Sequence, residues 1–471
     1  MTRDLMTHIL ETAPSRSRGM ARSAIATLFL DHIGVTAWGS DSPVATIMRE
    51  HVLDDLSRSR TAAPTLPVIG TPTSCSATEA AMANAVASSC FEFDDTHTPG
   101  SAHPGSVIFP AAMAAAAISG CSQDIFLAAV YAGYEVMGRL ARAVNPHAHR
   151  ARHFHPTSTT GHFGAAAAAA VCFGLDLDRS VTALSLAGTV AGGSMQFLPE
   201  GAITKQLHPA YAVQRGVQAA QLAARGFPGL SDPIGGTRGF LAGQSEDPRP
   251  ERLLADLDTA IPEIMQTGIK PYPSCRNTHS PASALFDLLN ENRFVAADID
   301  SITVGLIKPG LATVWEPSQR TRRPQTLADA QFSMPYVAAV SVLDRALGTA
   351  QFDVGRFSDP QVCALMDRVS CVSDPHLDER YPREWPSWVQ ITLNDGTTLR
   401  AEASHPKGDP ANALTRDEVV AKFDDLTRHR YSPAARASII ATVDGLTGPD
   451  TLDTVFATFG GDALTVDKID R

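Results

Sequence analysis

The 471-residue chain has no excess of positive charge, no paired cysteines and no long uninterrupted apolar run. Each absence removes a class of function. Lys and Arg number 39 against 50 Asp and Glu, for a net charge of −11, and the basic residues form no long run. Nucleic acids and anionic membranes therefore lack the basic footprint that phosphate binding needs. An anionic small molecule would have to be met by a few cations gathered locally against the overall field. The seven cysteines (Cys75, Cys90, Cys121, Cys172, Cys275, Cys363, Cys371) are odd in number, scattered and free of any C-x-x-C pair. That argues against a disulfide framework or a zinc ribbon and favours a reducing, cytoplasmic setting. The amino-terminal MTRDLMTHILETAPSRS has no apolar segment of signal-peptide type, and the Ala-rich runs fall short of the roughly 18 apolar residues that a membrane span requires. Neither export nor membrane insertion is expected. Internal repeats are also lacking, as is low complexity outside the alanine runs.

What is there is a globular composition, 44% hydrophobic and 19% charged, on a chain longer than one hydrophobic core usually supports. Two domains are expected. From about Gly19 to Arg225 the texture is helical. In ARSAIATLFLDHIGV, Ile25, Leu28, Phe29, His32 and Ile33 recur at helical spacing, which predicts a core-facing helix. PAAMAAAAISG and FGAAAAAAVCFG are so rich in alanine that they predict helices packed backbone to backbone in a buried bundle. Gly, Pro and charge break the periodicity over 230–253, and the texture changes after Ile269. There DIDSITVGLI alternates as a strand, and SWVQITLNDGTTLRAEA reads as a hairpin turning at Asn394-Asp395-Gly396. The second domain is thus α+β. Beyond it, Thr415 and Glu418 form a capping-box signature, and helix returns.

Four polar clusters stand against this background. CFEFDDTHTPGSAHPGSVIFPA carries Glu92, Asp94, Asp95, Thr96, His97 and His103. HAHRARHFHPTSTTGHFG carries His147, His149, His153, His155 and His162. AITKQLHPAYA holds Lys205 and His208, and KPYPSCRNTHSP holds Lys270, Arg276 and His279. Imidazoles and carboxylates suit zinc or iron, but H-x-H alone is a weak signal and no H-E-x-x-H is present. Acid/base chemistry needs an imidazole, a cation for a substrate carboxylate, and orienting donors, and the clusters contain all three. Loss of a proton beside a carboxylate builds enolate-like charge, which Lys205 or Arg276 would stabilise in the transition state. Structural roles compete. His147 and His149 read as solvated loop residues, and His162 as a packing residue at a helix start. His208, before Pro209, can orient the chain as readily as react, and Asp94 and Asp95 can cap backbone N–H groups as readily as serve chemistry. The DDTH sequence reads as a turn, with the next helix starting near Pro110.

The motifs FDDTHTPGSAHPGSVIFPA, HFHPTSTTGHFGAAAAA, TKQLHPAYA, KPYPSCRNTH, QFSMPYVAAV and HPKGDPANALTRDEVVAKF, in this order, resemble the MmgE/PrpD family. That family includes 2-methylcitrate dehydratase, cis-aconitate decarboxylase and iminodisuccinate epimerase. The resemblance runs from residue 93 to 423 and, with the helical flanks, takes in nearly the whole chain. It implies a mainly α fold: a large all-helical domain formed by both chain ends (1–267 and 405–471) and a smaller α+β lid (268–404), usually as a homodimer. It implies an enzyme without metal or organic cofactor that acts on a small polycarboxylate, a lyase of the dehydratase or decarboxylase type. An iminodisuccinate-like epimerase and a non-catalytic carboxylate-binding homologue are the alternatives. Carried over, His103, His155 and Lys205 match the catalytic residues, and Thr96 the threonine of D-D-T. Glu92 and Asp94, with Arg276 and His279, are the candidate substrate-binding residues. In the decarboxylase branch an aspartate stands where this chain has Glu92, and a lid tyrosine has Trp315 as its nearest counterpart. THTPGSAHP is also one residue longer than in the animal decarboxylases.

Overall fold

The computed structural model describes residues 1–58, 64–315, 319–381 and 383–461. It is mainly helical, with a small four-stranded sheet. Helix α1 (Arg22–Gly39) buries not one stripe but most of its circumference, Leu30, Asp31 and Val35 included. Helices α2 (Ala77–Ser89) and α3 (Gly105–Ser119) pack on it, as do helices from the carboxy-terminal part of the chain, so it is a core helix rather than an amphipathic one. Helix α3 starts at Gly105 and contains Pro110, five residues earlier than the proline suggested. The reason is not local: the Gly105 N–H donates to Asp95 Oδ1 at 2.8 Å, so a side chain from another segment satisfies the helix start.

Helix α4 (Gln123–Ala143), the alanine-rich α5 (Pro156–Cys172) and α6 (Leu207–Ala224) form the centre of the bundle, with α5 packed between the other two. Alanine and glycine allow these axes to close. A Cβ on Gly164 would stand 2.8 Å from Met137 Cβ and 3.0 Å from the Gly133 carbonyl, and one on Gly216 would stand 2.4 Å from Ala165 Cβ. The expected backbone-to-backbone packing is present. All seven cysteines are free. Among the described residues, no helix is long and apolar enough to cross a membrane.

Strand β1 (Thr96–His97) pairs antiparallel with β2 (Thr267–Gly268), so the DDTH segment ends in a short strand rather than a turn. Past β2 the chain enters a second apolar core, built from residues between Cys275 and Ile391, whereas the first core draws on Leu5 to Ile269 and again on Val419 to Phe459. Helix α7 (His279–Glu291) opens the second core, followed by β3 (Ile299–Leu306), α8 (Met334–Asp344), β4 (Val369–Ser373), β5 (Ser387–Leu393) and β6 (Thr398–Ala403). The sheet order is β4-β3-β5-β6, with β3 and β4 parallel and the other pairs antiparallel. Residues 307–368 cross between the parallel pair, as such a pair requires. The Asn394-Asp395-Gly396 hairpin forms as read, with Gly396 at φ 87. Helix α7 covers β5 and β6.

The two passages between the cores meet backbone to backbone: a Cβ on Gly268 would lie 2.3 Å from the Gly408 carbonyl, and one on Gly408 only 1.9 Å from that of Ile269. Helix α9 (Arg416–Thr427), capped by Thr415 and Glu418, then returns to pack on α1. Residues 462–471 of the carboxy-terminal part lie outside the described residues.

Candidate active site

The start of α3, the start of α5, the turn before α6, strand β1 and the segment after β2 converge on one cavity between the two cores. It is lined by Glu92, Thr96, His103, His155, Lys205 and Arg276, among others, and its free volume is about 60 Å³. Six of the eight residues singled out from sequence therefore share one space.

The imidazoles of His103 and His155 stand 6.5 Å apart, centre to centre. His103 Nδ1 lies 2.8 Å from the Asp95 carbonyl oxygen, which can only accept. Nδ1 therefore carries the hydrogen in the neutral ring and Nε2 keeps its lone pair. Burial pulls the His103 pKa down to about 4, against the opposing pull of Asp94. His155 precedes Pro156 at the start of α5, and its Nδ1 is 2.9 Å from Nδ1 of His208. Burial and then His208 hold His155 well below its ordinary pKa, and burial brings His208 to about 4. With both rings neutral, one Nδ1 donates and the other accepts. Both cavity imidazoles are thus neutral bases at neutral pH.

Glu92, at φ 52, anchors the cationic wall. Its carboxylate pairs closely with the Lys205 ammonium and lies 3.4 Å from Lys270 Nζ, which also donates to the Glu92 carbonyl at 2.9 Å. Burial alone would raise the Glu92 pKa, but the two ammonium groups outweigh it and hold the carboxyl below its usual range. Arg276 donates from Nη2 to Asp409 Oδ2 at 2.8 Å, while its Nε and Nη1 are buried without partners. Thr96 Oγ1 is likewise buried and unpaired at the cavity. Such polar atoms are costly to bury and mark where a ligand's oxygens would be satisfied. Among the described residues, no group of three or more His, Cys, Asp or Glu side chains is placed to hold a metal ion.

Other sequence expectations need correction. Asp94 does not line the cavity; its Oδ1 lies 3.6 Å from both His103 Nδ1 and Lys270 Nζ, behind the wall. His279 is also outside: it starts α7 three residues beyond Arg276, past a 3₁₀ turn, and its Nε2 lies 3.1 Å from the Ser274 carbonyl. Trp315 packs into the second core beneath the Arg322 guanidinium, 4.4 Å from its ring centre. The cavity receives Thr313 instead, from the last turn of the helix Lys308–Val314 that Trp315 terminates, and the lid aromatics that line it are Phe332 and Trp385. His149 is not solvated. It is fully buried, 2.8 Å from the Gln244 carbonyl and 2.9 Å from Thr159 Oγ1. His147 is exposed, as read, and His162 is buried in the second turn of α5. Sequence reasoning missed Arg150, Asn277 and Trp385 as lining residues, and Asp409 behind Arg276. Arg150 lay inside a quoted cluster, where the surrounding histidines masked it.

The cavity thus brings together two neutral imidazoles and the cations Lys205 and Arg276, the groups that acid/base chemistry on a small anion needs. Residues 3–253 match the MmgE/PrpD N-terminal domain and residues 272–446 the MmgE/PrpD C-terminal domain, and the chain belongs to the MmgE/PrpD family. It is 28% identical over 371 residues to the cis-aconitate decarboxylase-like protein oryM of Aspergillus oryzae, covering 74% of this chain and 75% of that one. To the cis-aconitate decarboxylase of Mus musculus it is 29% identical over 361 residues, covering 74% and 71%. To the 2-methylcitrate dehydratase of Cupriavidus necator it is 27% identical over 295 residues, covering 58% of each chain. By these names the relatives are lyases.

Proposed function

We propose that the protein is a lyase acting beside a carboxylate of a small di- or tricarboxylic acid, by dehydration or decarboxylation of a 2-methylcitrate- or aconitate-like substrate. The observation that carries this reading is the pair of neutral imidazoles, 6.5 Å apart, facing Lys205 and Arg276 in one cavity of an acidic chain. His103 Nε2 takes or returns a proton at the carbon next to the carboxylate, and His155 serves the opposite side. Lys205 stabilises the enolate-like charge that grows on the carboxylate oxygens, and the Thr96 hydroxyl donates to one of them. In dehydration a neutral imidazole takes the proton, the C–H electron pair forms the double bond, and the imidazolium so formed delivers that hydrogen to the departing hydroxyl, which leaves as water. In decarboxylation the C–C pair passes into the conjugated system as carbon dioxide leaves, and an imidazole that has taken up a proton from solvent passes it to the resulting carbanion. Bases on two sides of a carbon also suit epimerisation of an iminodisuccinate-like acid.

Proton NMR in deuterated water with 2-methylcitrate, citrate, cis- and trans-aconitate and iminodisuccinate tests the reading. Loss of water or carbon dioxide from one acid is the expected result, abolished in folded His103→Ala and Lys205→Ala proteins. Deuterium exchange without net loss would move the assignment to epimerase. Tight binding with no chemistry on any acid would overturn catalysis altogether.

A further inference from the structure

Three cations in or behind the cavity wall already meet a carboxylate of the protein: Lys205 and Lys270 meet Glu92, and Arg276 meets Asp409. Arg150 also lines the cavity, from the short helix Pro146–Ala151, and it is different. Its Nη2 donates to the Ser101 carbonyl at 3.1 Å, its Nε is buried without a partner, and among the described residues no carboxylate pairs with it. Ser101 itself sits at φ 53, in the left-handed region, a backbone state that presents its carbonyl to the guanidinium. The side chain as a whole is half-buried, but leaving its buried Nε unpaired is costly, and a fork held on one side by a carbonyl leaves its remaining N–H groups for an incoming anion. Two carboxylate positions follow: one beside Lys205, where charge develops, and one at Arg150, where binding alone occurs.

We propose that Arg150 is the principal anchor for a substrate carboxylate and selects acids carrying at least two carboxylates. This rests on reading the cavity as a polycarboxylate site. Arg150 reaches its ligand through charge-assisted N–H bonds, whereas Lys205 is already engaged by Glu92 and acts mainly on the reacting group.

The test is calorimetric and thermal titration with tricarballylate, a saturated tricarboxylate without a hydroxyl to eliminate, on wild type, Arg150→Met, Arg150→Gln and Arg150→Lys. Wild type is expected to bind and to gain Tm. Both neutral variants should bind about tenfold more weakly or worse, the Lys variant should retain more, and the ligand-free Tm of the neutral variants should equal or exceed that of wild type. Equal binding by wild type and both neutral variants overturns the proposal; if Lys205→Met then loses binding, the polycarboxylate reading stands without Arg150. No binding of tricarballylate, citrate or succinate by wild type overturns both. A ligand-free Tm well below wild type in both neutral variants makes Arg150 a structural residue and also overturns it.

Discussion

His155 is set by its neighbour as much as by its own position. Its Nδ1 is committed to Nδ1 of His208 at 2.9 Å, in surroundings that keep both rings neutral, so His208 decides which nitrogen of His155 carries the hydrogen. His208 does not line the cavity, which makes it a positioning residue. In His208→Phe, which keeps a ring but no nitrogen, kcat is expected to fall about tenfold or more with KM little changed, and the pH profile of kcat to shift its limb. His208→Asn, whose amide can donate or accept, should restore most of the rate. An unchanged pH profile in the Phe variant would sink the idea. From sequence, the histidine before Pro209 was legible as orienting or reactive; that it orients another imidazole needed the fold, since the two rings are 53 residues apart.

The elements of the bundle hold their spacing through small residues. At Gly216 on α6 an added Cβ meets Ala165 Cβ at 2.4 Å and the Ala166 nitrogen at 2.8 Å, both on the tightly packed α5. Backbone cannot yield there as a flexible side chain can, so Gly216→Val should lower unfolding stability by about 1–3 kcal/mol or more, read by urea denaturation. Gly243, exposed in the short helix Phe240–Gln244 with nothing within 4 Å, provides the contrast. Gly243→Ala should be neutral or stabilising by up to about 1 kcal/mol. Equal effects at the two positions would refute the close-packing account. The alanine content announced this packing in the sequence. It did not show that α1 is buried nearly all round, because helices from both ends of the chain cover it. Nor could it place the start of α3, which depends on a carboxylate ten residues upstream.

Across the whole molecule, the buried neutral imidazoles couple folding to pH. Burial brings the pKa of His32 to about 3 and those of His103, His149 and His208 to about 4, and holds His155 and His279 well below their ordinary value. Below about 6.5 the unfolded chain takes up protons on these residues that the folded chain refuses, so stability is full above that pH and lost on acidification toward 4. Asp95 acts in the opposite sense. Burial raises its pKa to about 7, so the folded state holds a proton from the ordinary carboxyl range up to that pH, and its contribution fades as pH rises. The imidazoles outnumber it, and unfolding free energy should fall by more than about 2 kcal/mol between pH 7 and pH 5. A flat or rising profile in urea titrations across that interval would contradict the burial of these rings. The sequence by itself determined the helical texture, the alanine-packed bundle, the α+β insertion with its hairpin, and the residue types that carry the chemistry, because periodicity, turn residues and motif spacing are local properties. Only the tertiary structure decided which groups face the cavity. It placed Glu92 against two lysines, moved Asp94, His279 and Trp315 out of the lining, and brought Arg150 and Trp385 into it. Those outcomes depend on burial and on partners supplied by distant segments on two different cores, and no window of sequence contains both sides of such a contact.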